Sequence, residues 1–203
     1  MKLICLDTET TGFSSKYDRV IEIGCVTLET NETFQRYINP NRSISESAIQ
    51  IHGLTKEFLA DFECFKFHAE DFLKFIENAT LIAHNAKFDI GFLNAELERN
   101  GFPPLKNKII DTLELAKQEF PGKKINLNAL QKHYQINIER TFHGALLDAK
   151  ILAQIYAAMQ NKQTILENKN IPNHKPKTIN SEEINIKITE QEILAHEILI
   201  QKL

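Results

Sequence analysis

Residues 2–12 read Lys2-Leu3-Ile4-Cys5-Leu6-Asp7-Thr8-Glu9-Thr10-Thr11-Gly12, and the rest of the architecture is read outward from them. Lys2 to Leu6 has the short apolar character of a buried strand, ending at the acid Asp7. Side chains two apart on a strand share a face. Asp7 and Glu9 therefore point to one spot, on the face of Leu3 and Cys5. Two carboxylates that close repel each other. A divalent cation relieves that repulsion, and hard cations prefer carboxylate oxygen. The bland alternative is a solvated turn with Gly12 as its turn residue, and the hexapeptide alone does not choose.

The following segments build a sheet around this strand. Val20 to Leu28 alternates around Ile21, Ile23 and Cys25 and predicts a second strand. Phe34 to Ile38 predicts a third, stopped by Asn39-Pro40. Short turns separate the three, so they should be antiparallel neighbours. Helical patterns then alternate with short strands at Leu81-Ile82-Ala83 and Ile109-Ile110. Helices are expected over 67–77, over 87–99 with Gly101 as its stop, from about Leu113, over 126–134, and over 145–159. In the last of these, Ile151, Leu152, Ile155 and Met159 form one stripe. Strands mixed with helices make an α/β core.

The 203 residues are one domain's length, with room for an appendage. Composition shifts at Asn161, giving three parts: a catalytic-size domain at 1–160, a flexible linker at 161–188 and an amphipathic helix at 189–203. Thr189-Glu190-Gln191-Glu192 fits a capping box, and Ile193, Leu194, Ile198, Leu199 and Leu203 supply an apolar side. So short a helix seldom stays alone in water. It packs on its own domain or docks on a partner. A net charge of −3, from 24 Lys+Arg and 27 Asp+Glu, excludes gripping duplex nucleic acid by charge alone. It leaves room for an enzyme whose bound metals supply the positive charge. The three cysteines, Cys5, Cys25 and Cys64, with no CxxC and no signal peptide, point to a reducing cytoplasm. No apolar run nears the roughly 18 residues that span a bilayer, so no membrane partner is expected.

Two further clusters carry acids. In His84-Asn85-Ala86-Lys87-Phe88-Asp89, the acid falls three and four residues before Phe92 and Leu93, toward the core side of its helix. A carboxylate there is costly unless paired or close to a metal. Alone, it reads better as an exposed first-turn acid favoured by the helix dipole. In His143-Gly144-Ala145-Leu146-Leu147-Asp148, the acid shares a stripe with Ile151, Leu152 and Ile155. His143, at or just before the first turn, has the chemistry of a general base for water. Taken singly, such a histidine is a surface or capping residue.

Together the three segments resemble the DEDD exonuclease superfamily, in the DEDDh subgroup with histidine in the last motif. Asp7 and Glu9 match its first motif, Asp89 the second, and His143 with Asp148 the third, over about residues 1–160. Ile51-His52-Gly53-Leu54-Thr55, Ala83-His84-Asn85-Ala86, Phe120-Pro121-Gly122-Lys123 and His143 to Ala149 are closer still to the family of proofreading epsilon subunits of bacterial DNA polymerase III. Asn126-Leu127-Asn128 and Ser47 depart from that family's pattern. The resemblance implies a ribonuclease H-like mixed sheet, its first three strands antiparallel and the later ones parallel, flanked by helices. It implies two divalent metal ions, Mg²⁺ or Mn²⁺, held by Asp7, Glu9 and Asp148. Asp89 then acts through bound water and His143 takes a proton from the attacking water. By the same resemblance His52 holds the terminal nucleotide, against a plain turn residue before Gly53, and Thr8 and Thr10 contact the terminal sugar. Asp111 reads as a structural acid and not a ligand. Gln163-Thr164-Ile165-Leu166, followed by Glu167-Asn168, resembles a sliding-clamp-binding peptide, against plain linker.

The expected function is a metal-dependent 3′→5′ exonuclease that hydrolyses the terminal phosphodiester bond of DNA and releases nucleoside 5′-monophosphates. Its expected partners are a single-stranded 3′ end of DNA and, through residues 189–203, a polymerase catalytic subunit. One alternative is a stand-alone exonuclease of RNA or repair DNA on the same fold. The other is a non-catalytic nucleic-acid-binding assembly subunit.

Overall fold

A computed structural model describes residues 2–139 and 142–169 of the chain. Residues 170–188 of the expected linker and the expected helix at 189–203 lie outside the described residues. Five strands form one sheet: β1 (Leu3–Thr10), β2 (Val20–Thr27), β3 (Thr33–Tyr37), β4 (Thr80–Ala83) and β5 (Ile109–Asp111), in the order β3-β2-β1-β4-β5. β1 pairs with β2, and β2 with β3, antiparallel; β4 pairs in parallel with both β1 and β5. This is the mixed α/β sheet expected.

β1 differs from its expectation in one respect. It does not end at Asp7 but continues to Thr10. Its ladder with β2 runs on through Asp7↔Gly24, Thr8↔Ile23 and Glu9↔Glu22, with a shift of register between Glu9 and Thr10. Polar residues can extend a strand when its neighbour supplies the hydrogen bonds, and Thr8, Glu9 and Thr10 are all buried there.

Two helical layers cover the sheet. On one face α3 (Phe65–Ile76) and α4 (Ala86–Arg99) bury Phe72, Phe92 and Leu93 against Ile4, Leu6, Ile23, Cys25 and Leu81. The short helices α1 (Glu46–His52) and α2 (Lys56–Leu59) were not legible from periodicity. Seven residues of α1 are too few to show a period, although both of its ends are marked. Ser45 caps its start, and Gly53 closes it with φ 73°, a left-handed conformation that glycine adopts freely. On the other face α7 (Ala145–Lys169) lays Ala149, Leu152 and Ala153 on Cys5, Val26 and Ile82.

The expected single stripe of α7 is in fact two. Ile151, Ile155 and Met159 turn away from the sheet to meet Ala116 of α5 (Thr112–Glu119) and Leu130 of α6 (Leu127–His133). α7 also carries helical backbone past residue 160, through Lys169, where composition reads as linker. Once a helix is nucleated each added residue gains a hydrogen bond, and Lys162, Gln163, Leu166 and Glu167 are good helix formers. Among the described residues no helix is long and apolar enough to cross a membrane.

Candidate active site

The site is assembled where β1 passes between the starts of α7 and α4. Asp7 and Glu9 lie on the α7 face of the strand, directly across from Gly24 and Glu22 of β2. Gly24 lets the strand and α7 meet. A Cβ there would stand 2.1 Å from the carbonyl carbon of Ala145. Glu22 accepts a hydrogen bond from the backbone N–H of Ala145 at 3.0 Å and another from Gln35 Nε2 at 2.9 Å. The start of α7 is thereby set over Glu9.

Glu9, His143 and Asp148 converge there. Each offers one oxygen or nitrogen, and those atoms lie within 4.8 Å of one another. His143 Nδ1 is 2.9 Å from Asp148 Oδ2, with the imidazole 41% exposed and the carboxylate side chain 4%. Beside an ionised Asp148, Nδ1 carries the proton and donates, which places the ring's lone pair on Nε2. The backbone N–H of His143 donates to the carbonyl of Ile51 at 3.0 Å, tying the segment to α1. Two carboxylates and an imidazole so close form a donor set that suits a divalent cation.

Asp89 approaches from the other face of the strand. Its partner on β1 is Thr8, whose hydroxyl donates to Asp89 Oδ1 at 2.8 Å. Asp89 is 3% exposed. Burial pushes its carboxyl up to about 7, while the Thr8 hydrogen bond pulls the other way. The start of α4 is fixed by Asp111, as the structural role expected of that residue requires. Asp111 Oδ1 accepts from the N–H groups of Asn85 at 3.0 Å and Leu113 at 2.9 Å, and Oδ2 from Ala86 at 3.0 Å. One carboxylate thus caps α4 and α5 together. Burial raises the Cys25 thiol, and Asp7 and Asp89 raise it further, so both acids lie near the same buried group.

His52, the last residue of α1, is buried beside His143. Its Nδ1 accepts from the N–H of Leu54 at 2.9 Å, so in the neutral ring Nε2 bears the hydrogen. Nε2 sits near the Thr10 carbonyl but makes no hydrogen bond of good geometry. Burial, and then the neighbouring His143, lower His52 to about 4, so it stays neutral. Thr10 spends its hydroxyl on the carbonyl of Gly12 at 2.6 Å. Sequence reasoning passed over Glu22, which alternation puts on the face opposite Ile21 and Ile23. The available signal was an acid between Ile21 and Ile23 in a strand next to the one bearing Asp7 and Glu9.

Fold and site together define a nuclease. A family profile described as Exonuclease matches residues 4–156, and the chain belongs to that family. The solved structure of Exonuclease X, in complex with 5′ overhanging duplex DNA, is 28% identical with a TM-score of 0.62, over 80% of this chain and 93% of that one. The DNA polymerase III subunit epsilon of Buchnera aphidicola subsp. Schizaphis graminum is 44% identical over 86% of this chain and 81% of its own length. That of Rickettsia prowazekii is 39% identical over 100% of this chain and 97% of its own. Within the exonucleases, the chain falls with these epsilon subunits. Divalent metal use follows from the family and from the donor set at Glu9, His143 and Asp148.

Proposed function

We propose that the chain is a proofreading 3′→5′ exonuclease that hydrolyses the terminal phosphodiester bond of a single-stranded DNA 3′ end and releases nucleoside 5′-monophosphates. The observation that carries this reading is the convergence of Glu9, His143 and Asp148 within one 4.8 Å shell. Asp7, Glu9 and Asp148 would hold two divalent ions, Mg²⁺ or Mn²⁺, and Asp89 would act on them through water. When bound, such ions stabilise the charge that develops on the attacking and leaving oxygens.

The remaining work falls to the chain's own groups. His143 Nε2 takes the proton of the attacking water, while Nδ1 is held by Asp148. His52, kept neutral by burial, would help hold the terminal nucleotide. Thr8 and Thr10, whose hydroxyls are engaged by Asp89 and by the Gly12 carbonyl, would contact the terminal sugar. The partner assigned to residues 189–203 is the polymerase catalytic subunit, and residues 163–168 are the candidate clamp peptide. The compartment is the cytoplasm, a reading that the free thiols of Cys5, Cys25 and Cys64 support.

A mismatched DNA primer labelled at its 3′ end tests the reaction. Label should leave as nucleoside monophosphate, stop with chelator and resume with Mg²⁺ or Mn²⁺. Release that is indifferent to chelator would overturn the metal reading. Faster release from short RNA would favour the stand-alone enzyme. Recovery of the polymerase by the full chain, and not by one ending near residue 160, is the result expected of the tether.

A further inference from the structure

The site holds one more carboxylate that no catalytic step uses. Glu22 is 1% exposed, and a buried charge is costly unless its surroundings hold it. Burial raises the Glu22 carboxyl, and hydrogen bonds from Gln35 Nε2 and from the N–H groups of Ala145 and Leu146 pull the other way. The last two are the first N–H groups of α7, where the helix dipole favours a negative charge.

Three placements make this contact more than a cap. Glu22 stands directly across from Glu9 in the ladder. Ala145, which it holds, lies between His143 and Asp148 in the chain. Gly24, two residues on and on the same face, lets the backbone of β2 touch Ala145 and Leu146. The distance from Glu9 to the His143–Asp148 pair is therefore spanned by one side chain on the neighbouring strand.

We infer that Glu22 is a positioning residue, which sets the first turn of α7 against β1 so that Glu9 and Asp148 face one ion-binding position, with His143 beside it, before any ion arrives. It rests on the metal-site reading above. A misplacement of about 1 Å at reacting groups can cost roughly a hundredfold in rate. Groups that orient metal ligands typically change ion affinity by roughly ten- to a hundredfold when removed.

The test uses the full chain and two readouts, Mn²⁺ binding by calorimetry without DNA and steady-state hydrolysis of a 3′-labelled primer. Glu22→Asp keeps the charge but shortens the side chain by one methylene, so it should lose its hold on Ala145. It should weaken Mn²⁺ by about tenfold or more and lower kcat with little change in KM. Glu22→Gln can still accept from Ala145 once the Gln35 amide turns to face it, and should stay within about threefold of wild type in both readouts. Glu22→Ala should resemble Glu22→Asp, with a lower melting temperature. A folded Glu22→Asp that matches wild type in both readouts overturns the assignment. So does a Glu22→Gln as impaired as Glu22→Asp, since holding the position without the charge would then not be enough. Wild-type protein that takes up no Mn²⁺ overturns the metal site itself, and the assignment with it.

Discussion

Asp89→Asn should stabilise the metal-free protein at neutral pH while removing its activity. Burial holds the Asp89 carboxyl up to about 7 in the fold, against an ordinary 3.8. Between those values the folded chain binds the proton more tightly than the unfolded chain. The stability that Asp89 contributes is therefore greatest below 3.8, drains as pH rises through the window, and is fully lost above about 7. Each pH unit is worth about 1.4 kcal/mol, so the loss is on the order of 4 kcal/mol by pH 8. An amide carries no such charge. Its oxygen still accepts from the Thr8 hydroxyl, which now lies 2.8 Å from Oδ1. Its nitrogen no longer accepts from the backbone N–H groups that the carboxylate faces, a loss of about 1 kcal/mol. The net gain is roughly 2–3 kcal/mol, or roughly 5–10 °C in melting temperature for a domain of this size. Urea or thermal unfolding with chelator, at pH 4, 6 and 8, measures it. The gap between variant and wild type should be absent or reversed at pH 4 and widest at pH 8. Parallel pH–stability curves for the two proteins would refute the reasoning, because they would mean that Asp89 is ionised in the fold at no unusual expense.

Other substitutions probe separate links. Asp7→Ala and His143→Ala should each lower kcat on the mismatched primer by about a hundredfold or more, with cooperative unfolding intact; near-wild-type turnover in either would displace that residue from the reaction. Asp111→Ala strips the cap from α4 and α5 together and should destabilise the protein by about 3 kcal/mol in urea unfolding, with Asp111→Asn retaining part of the loss; a midpoint unchanged in Asp111→Ala would show that solvent satisfies those N–H groups as well. His52 runs opposite to Asp89. Its folded value of about 4 lies below the ordinary 6.5, so the unfolded chain takes the proton first, and stability present above 6.5 is lost as pH falls toward 4. That loss is on the order of 3 kcal/mol, and His52→Gln should flatten the acid side of the pH–stability curve; an unaltered slope would assign the acid sensitivity elsewhere.

The acids were legible because each breaks a local rule. Asp7 and Glu9 extend the buried face of a strand, and Asp89 and Asp148 sit on helix faces that are otherwise apolar. Periods of 2 and 3.6 are enough to find such residues. The partners of those acids were not legible, because they come from the tertiary fold. Glu22 looks like the solvent-side residue of an alternating strand until α7 returns, 123 residues later, to cover that face. Thr8 looks like a neighbour of Asp7 and Glu9, but it faces the opposite side and meets Asp89 across 81 residues. Past Asn161 composition and helix propagation pull apart: the polar residues read as linker, while helical backbone carries on to Lys169.

The two halves of the site repeat one device. Asp89 follows three residues after the start of α4 at Ala86, and Asp148 three after the start of α7 at Ala145. Each start is gripped by a carboxylate from the sheet, Asp111 at the end of β5 for α4 and Glu22 of β2 for α7. A helix N-terminus tolerates negative charge, so the first turn is where a buried acid is least costly. Clamping that turn to a strand then fixes where the acid points. A site that gathers carboxylates must withstand their mutual repulsion until cations arrive, and loosely tethered acids would relieve it by moving apart. The clamped starts of α4 and α7 deny them that escape, so the repulsion is retained as affinity for the ions. It follows that stabilisation of the wild-type protein by Mn²⁺ should shrink when either clamp is cut, even in variants whose metal-bearing acids are all present.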